Sequence, residues 1–289
     1  MRTKHFFLIV FIMFCFGSAY PIGKIGTNNI PPILFSSLRV LFILIVMLPF
    51  FKFKLPKKNL IIPLLFFSLT MGIGVYVPLY FALNISSLVN PIIIGTQLTV
   101  PFGLILGLIF LKEKIVLKKW IFIFFAFLGI IIISYDPRIE KELIALIIIS
   151  LMAFFYALSN MLSRSLKEID TITQISWHSF ISIFPLFFMS YIFEGNPVEL
   201  LFPISISSIF TIIHASIIVS IIGHGSMFYL YKFYPIQIIL PFYSLFPVFG
   251  IILTFFIFLE LPNMFEYIGG ILVIASIFFI HLENLKNKN

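Results

Sequence analysis

Charge is what this sequence has least of. Only 10% of its 289 residues are charged, against about 25% in a soluble domain. With 61% hydrophobic residues, no single soluble core could hide the apolar side chains, so the bilayer is the expected solvent. Acid is scarcer than base, eleven Asp and Glu to nineteen Lys and Arg, and no acid sits in the middle of an apolar run. There is one cysteine, Cys15, inside an apolar run; that excludes an internal disulfide and a cysteine-based metal cluster. No HExxH, no paired aspartates and no GxxxxGK[ST] loop occurs, which argues against a polytopic membrane enzyme and against an ATP-driven pump. No cofactor or metal is expected. A net charge of +8 would suggest nucleic acid in a soluble protein. Here the basic residues flank apolar runs, as cytoplasmic membrane loops require, so no nucleic-acid partner is expected.

What is present is a series of ten apolar segments, near 6–26, 33–53, 60–83, 89–111, 120–135, 143–163, 172–193, 206–231, 236–259 and 264–282. Most hold around 20 residues, which suits a helix crossing about 30 Å of hydrocarbon. The runs are too long, and alternate too little, for barrel strands. The connections are short and polar. The expected fold is an all-α polytopic membrane protein in a lipid bilayer.

The chain also repeats itself. Pro101 to Glu113 is a degenerate copy of Pro241 to Glu260, with a glycine ten residues before each acid (Gly103, Gly250) and an aromatic seven after it (Trp120, Tyr267). Phe16 stands eight residues before Lys24, and Tyr156 eight before Arg164. Residues 1–135 and 143–282 are therefore expected to form two five-helix repeats, with a cytoplasmic tail at 283–289. Residues 1–21 carry some features of a secretory leader, but the pairing of Phe16–Lys24 with an internal stretch argues for a retained helix.

Lys and Arg set the expected orientation. With the N-terminus inside, 15 basic residues fall in inner loops and ends, including Lys52, Lys54, Lys57, Lys112, Lys114 and Lys288. Only Arg138 and Lys141 fall outside. Both termini are then cytoplasmic, in a bacterial cytoplasmic (inner) membrane. Five helices is an odd number, so the repeats enter the membrane from opposite sides. Inverted repeats are a hallmark of secondary carriers that open a central site to each side in turn.

Several residues in these segments carry a resemblance. They are Gly17 to Lys24, Asn29 to Arg39, Ala82 to Asn84, Gln97, Gly107 to Glu113, Gly223-His224-Gly225, Pro241, Pro247, Gly250 and Glu260. In these the chain resembles drug/metabolite transporters of the EamA type, and most of all the O-acetylserine/cysteine exporters. It departs from that pattern where Phe16 replaces a tryptophan, where Tyr156 is its counterpart, and where His224 stands in a Gly-Tyr-Gly. The resemblance implies ten helices from two repeats. It implies export of small amino-acid-related metabolites and coupling to protons. An importer of another small metabolite is the alternative.

Arg39 is the first candidate for the substrate pathway. It stands inside an apolar segment, where an unpaired cation is costly, and could meet a substrate carboxylate. Its competing readings are snorkelling to the interface and capping of carbonyls. Lys24 reads as an interfacial anchor. His178, His214 and His224 are imidazoles in apolar runs; His224, between two glycines, is the best placed to relay protons, and His214 reads as structural. Trp177 precedes His178, and the pair could line the pathway. Tyr76 and Tyr80 are one turn apart on one face. Asn84, Thr96, Gln97, Thr99, Asn160 and Tyr243 are the neutral polar set; amides both donate and accept, which suits a zwitterion. Glu113 and Glu260 read as solvated helix ends.

Overall fold

The computed structural model describes residues 2–51, 55–111, 117–135, 142–234, 239, 242–243 and 245–286. Among the described residues there is no strand, and ten long helices cover the ten apolar segments. The first five are α1 (Thr3–Thr27), α2 (Pro32–Met47, prolonged by a 3-10 turn at Leu48–Phe50), α3 (Lys58–Ile85), α4 (Asn90–Phe110) and α5 (Leu117–Ser134). The second five are α6 (Leu143–Ser165), α7 (Thr171–Phe193), α8 (Ile206–Tyr231), α9 (Leu245–Phe258) and α10 (Met264–Lys286). Seven of them, α1–α4 and α6–α8, are long and apolar enough to span a membrane. The α10 helix runs on to Lys286, into the stretch expected as a tail from 283. Glu113, Pro241 and the basic residues Lys52, Lys54, Lys112, Lys114, Arg138, Lys141 and Lys288 lie outside the described residues.

Large apolar side chains stay uncovered along these helices. Phe7, Phe124, Phe184 and Phe256 are all more than 60% exposed. In water such a surface would aggregate; against lipid tails it is solvated.

Contacts at the two ends show which way each helix runs. At the end where α1 begins, the backbone N–H of Arg2 donates to the Tyr234 hydroxyl, and His5 Nδ1 lies 2.8 Å from the same oxygen. Lys57 pairs there with Glu168 at 2.9 Å, an exposed pair of little worth. Asp170 caps α7 by accepting from the Thr173 N–H. Burial raises the Asp170 carboxyl, but the hydrogen bonds from Thr173 outweigh it and hold the group below its usual range. The stability it lends is present above the unfolded value and fades as pH falls through the folded one.

At the far end α1 and α3 finish together. Lys24 Nζ donates to the carbonyls of Leu83 (2.8 Å) and Ser86 (2.6 Å), and Asn84 Nδ2 to that of Thr27 (2.7 Å). Lys24 is thus a helix C-cap rather than a plain interfacial anchor. Glu142, just before α6, accepts from the Ser87 N–H at 2.7 Å, beside the start of α4. The α6 start therefore lies at the end opposite the α1 start, and the two repeats are inverted. The packing obeys the same symmetry. The α5 helix lies along α10 and α2 along α7, while α1 rests on α8 and α9 as α6 rests on α3 and α4.

Close backbone approach sets two of these contacts. Where α5 meets α10, a Cβ on Gly269 would lie 2.5 Å from the Gly129 carbonyl oxygen. Where α1 meets α9, a Cβ on Gly17 would lie 2.7 Å from the Phe246 carbonyl oxygen. Backbone cannot step aside as a side chain can. Gly269→Leu is expected to cost about 1–3 kcal/mol by overpacking. A lower melting temperature in detergent would register it; an unchanged one would show that the crossing tolerates side chains.

The symmetry extends to a distortion. The α3 helix is wound as a π-helix over Thr70–Tyr76 and α8 over His214–His224. The two are equivalent helices of the two repeats. A π-turn displaces side chains from the regular α register, and such turns concentrate at functional sites.

Candidate functional site

Six helices converge on a cavity near half-depth. Its walls are Phe16, Ala19 and Tyr20 from α1, Arg39 from α2, and Val75, Tyr76 and Leu79 from α3. Met152 and Tyr156 come from α6, Val219 and His224 from α8, and Phe246 from α9. The volume is about 40 Å³. A water needs at least about 10–15 Å³, so this space has room for a few waters.

Arg39 dominates the chemistry. It sits near the middle of α2 and is 1% exposed, which excludes snorkelling. Its Nε donates to Ser220 Oγ and its Nη1 to the Tyr80 hydroxyl, each at 2.8 Å. Its guanidinium carbon lies 3.9 Å from the centroid of the Tyr76 ring, a cation–π contact. Ser220 can accept because its own hydroxyl donates to the Ala215 carbonyl. Nη2 is buried and has no partner. Among the described residues Lys57–Glu168 is the one ion pair, so no carboxylate pairs with Arg39 there.

His224 faces the same space. Its Nδ1 lies 3.0 Å from the Val219 carbonyl, which can only accept, so Nδ1 carries the proton. Nε2 is left with a lone pair, 3.5 Å from the Tyr156 hydroxyl. The Phe16 ring packs on the imidazole at 4.7 Å.

The EamA-like transporter family model matches this chain over residues 3–135 and again over 143–282. The chain belongs to the EamA-like transporter family. It is a multi-pass membrane transporter of small molecules. Two relatives, from Escherichia coli (strain K12) and Salmonella typhimurium (strain LT2), are named "Probable amino-acid metabolite efflux pump". Each is 22% identical, over 96% of this chain and 95% of its own length. A crystal structure of a protein 13% identical covers 100% of both chains with a TM-score of 0.67, and so shares the fold.

Of the expected pathway residues, this EamA-like transporter brings Arg39, Tyr76, Tyr80 and His224 together. His178 lies next to them, its ring 5.7 Å from that of Tyr76. Ser182 Oγ donates to the Ser68 carbonyl, so His178 Nδ1 donates to Ser182, and its Nε2 is buried without a partner. It borders a second void of about 10 Å³ that shares Tyr76 and His224 with the first. A third void, about 360 Å³, shares Ile175 with the second and opens between α2, α7 and α8 at the end where α1 begins. The three form a line of spaces from the centre to that end.

Tyr243 backs the cavity wall, its ring 6.4 Å from that of Phe16 and 6.1 Å from that of Phe246, and the remaining expected residues stand apart from the cavity. Asn84 caps α1. Trp177 packs on Phe51, ring to ring at 5.1 Å. Gln97 is buried in α4, and Asn160 is half-buried on α6. Tyr243 shares a hydrogen bond with Tyr231 at 3.0 Å. His214 Nε2 lies 3.0 Å from Ser18 Oγ, joining α8 to α1. Glu260 is no solvated helix end: it accepts from the Val89 and Asn90 N–H groups and caps α4. Sequence reasoning missed Ser220, the partner of Arg39. Its signal was the spacing of Ser216, Ser220 and His224, four residues apart on one helix.

Proposed function

We propose that this transporter is a secondary active exporter of small amino-acid-related metabolites in the bacterial cytoplasmic membrane, working by alternating access to the Arg39 cavity. The observation that carries the proposal is a buried guanidinium with a free N–H nitrogen at the point where both repeats meet. A substrate carboxylate would complete it. The relatives' names support export of amino-acid metabolites. With the basic loops on the inside, this reading has both termini in the cytoplasm and the line of voids approaching the site from there. Cysteine labelling at Gly195 from outside and Lys57 from inside is the expected pattern; the reverse would overturn the orientation.

Efflux of preloaded labelled cysteine, O-acetylserine and a panel of other amino acids tests the function, in cells with and without the protein. Faster efflux that stops when the proton gradient is collapsed supports it. No difference across the panel would overturn the substrate class. His224 is the proposed proton site. His224→Phe is expected to leave transport independent of pH, measured as efflux rate between pH 5.5 and 8. A retained pH profile would return His224 to helix packing.

A further inference from the structure

Among the described residues the cavity wall carries one cation and no anion, and that asymmetry bears on the substrate. Arg39 is, among the described residues, the only one in that wall with a permanent charge. Among the described residues the carboxylates lie elsewhere. Glu142, Glu194 and Glu260 receive backbone N–H groups at the far end, and Glu168 and Asp170 sit at the other. A carboxylate entering the cavity finds a buried, unpartnered Nη2. An ammonium entering it finds neutral acceptors only, the tyrosine hydroxyls and His224 Nε2. It also meets the repulsion of Arg39 in a poorly solvated space, where an unpaired charge is costly. The lone pair on His224 Nε2 suits a neutral N–H donor instead. Phe16, Tyr20, Met152 and Phe246 offer apolar and aromatic surface for the rest of the ligand.

We infer that the cavity selects monoanionic carboxylates with a compact apolar body and an uncharged nitrogen, the chemistry of N-acylated amino acids, over free amino acids, and rejects amides whose only charge is an ammonium. This rests on the carrier reading above and sharpens it.

The test uses purified full-length protein in vesicles and three matched probes: N-acetylleucine, leucine and leucinamide. Entry of each is measured against protein-free vesicles of the same lipid. N-acetylleucine is expected to enter with a half-saturating concentration at least about tenfold lower than leucine, a lower bound on the effect of one uncompensated charge. Leucinamide is expected neither to enter above background nor to compete. Leucine entering as well as N-acetylleucine, or leucinamide competing, would overturn the selectivity while leaving the carrier in place. Failure of all three to enter faster than background would overturn the carrier reading itself.

Discussion

Replacing Arg39 with Ala is expected to abolish transport while leaving a folded, inserted protein. Truncating one member of a buried, hydrogen-bonded charge pair costs about 2–5 kcal/mol of binding, a loss of roughly thirtyfold or more in affinity. Arg39→Lys is expected to fail almost as badly. A lysine has no planar fork to bond Ser220 and Tyr80 while a third nitrogen waits, and it does not stack on Tyr76 as a guanidinium does. Fold stability should not follow activity. Without its substrate Arg39 is a buried cation lacking a counter-charge among the described residues, so removing it takes away a desolvation cost as well as hydrogen bonds. Transport in vesicles and melting in detergent, measured on one preparation, separate the two effects. Normal flux in Arg39→Ala would remove it from the site.

The second large effect concerns the end where α1 finishes. Glu194, after α7, accepts the Ile33 and Leu34 N–H groups of α2 at 2.7 and 2.8 Å. Glu260, after α9, does the same for Val89 and Asn90 at the start of α4. Both carboxylates belong to the second repeat and both helix starts to the first. Each is stabilised by the positive helix terminus it caps. Separating the repeats at this end exposes four backbone donors and two carboxylates at once. In Glu194→Gln/Glu260→Gln each site loses its charge. At about 1–3 kcal/mol per lost charged bond, the open population is expected to rise about tenfold or more. A cysteine at Ala19, in the cavity wall, reports it by faster labelling with an impermeant maleimide from that side. The protein without the Ala19→Cys change has Cys15, buried in α1, as its only thiol; labelling there would signal unfolding instead. An unchanged rate at position 19 would mean that the two carboxylates fasten helices that never part.

Local signals carried the fold. Apolar runs of one membrane thickness gave ten helices, because in lipid a helix must satisfy its own backbone. The spacing that pairs Phe16 with Tyr156 led to the centre as well, since both rings line the cavity. Depth and partnership were not legible. Arg39 has an apolar neighbourhood in the sequence whether it snorkels or faces inward, and only the packing of α3 and α8 against α2 decides. Glu260 reads as a solvated helix end, and nothing singles out Glu194, because their partners lie 160 to 171 residues away in the chain. The π-turns left no periodic signature in helices that are apolar on nearly every face.

On the proposed alternating-access cycle, the position of Arg39 would make the carrier a voltage-sensitive device. A charge that crosses the whole membrane field exchanges about 2.3 kcal/mol with it per 100 mV. A guanidinium fixed at half-depth crosses part of that field when access switches from one side to the other. With an anion bound, the centre is neutral and the switch moves little charge. Empty, it carries the full unit, so the return stroke is the electrogenic one. The resting potential of the cell would then set how fast the unloaded protein resets.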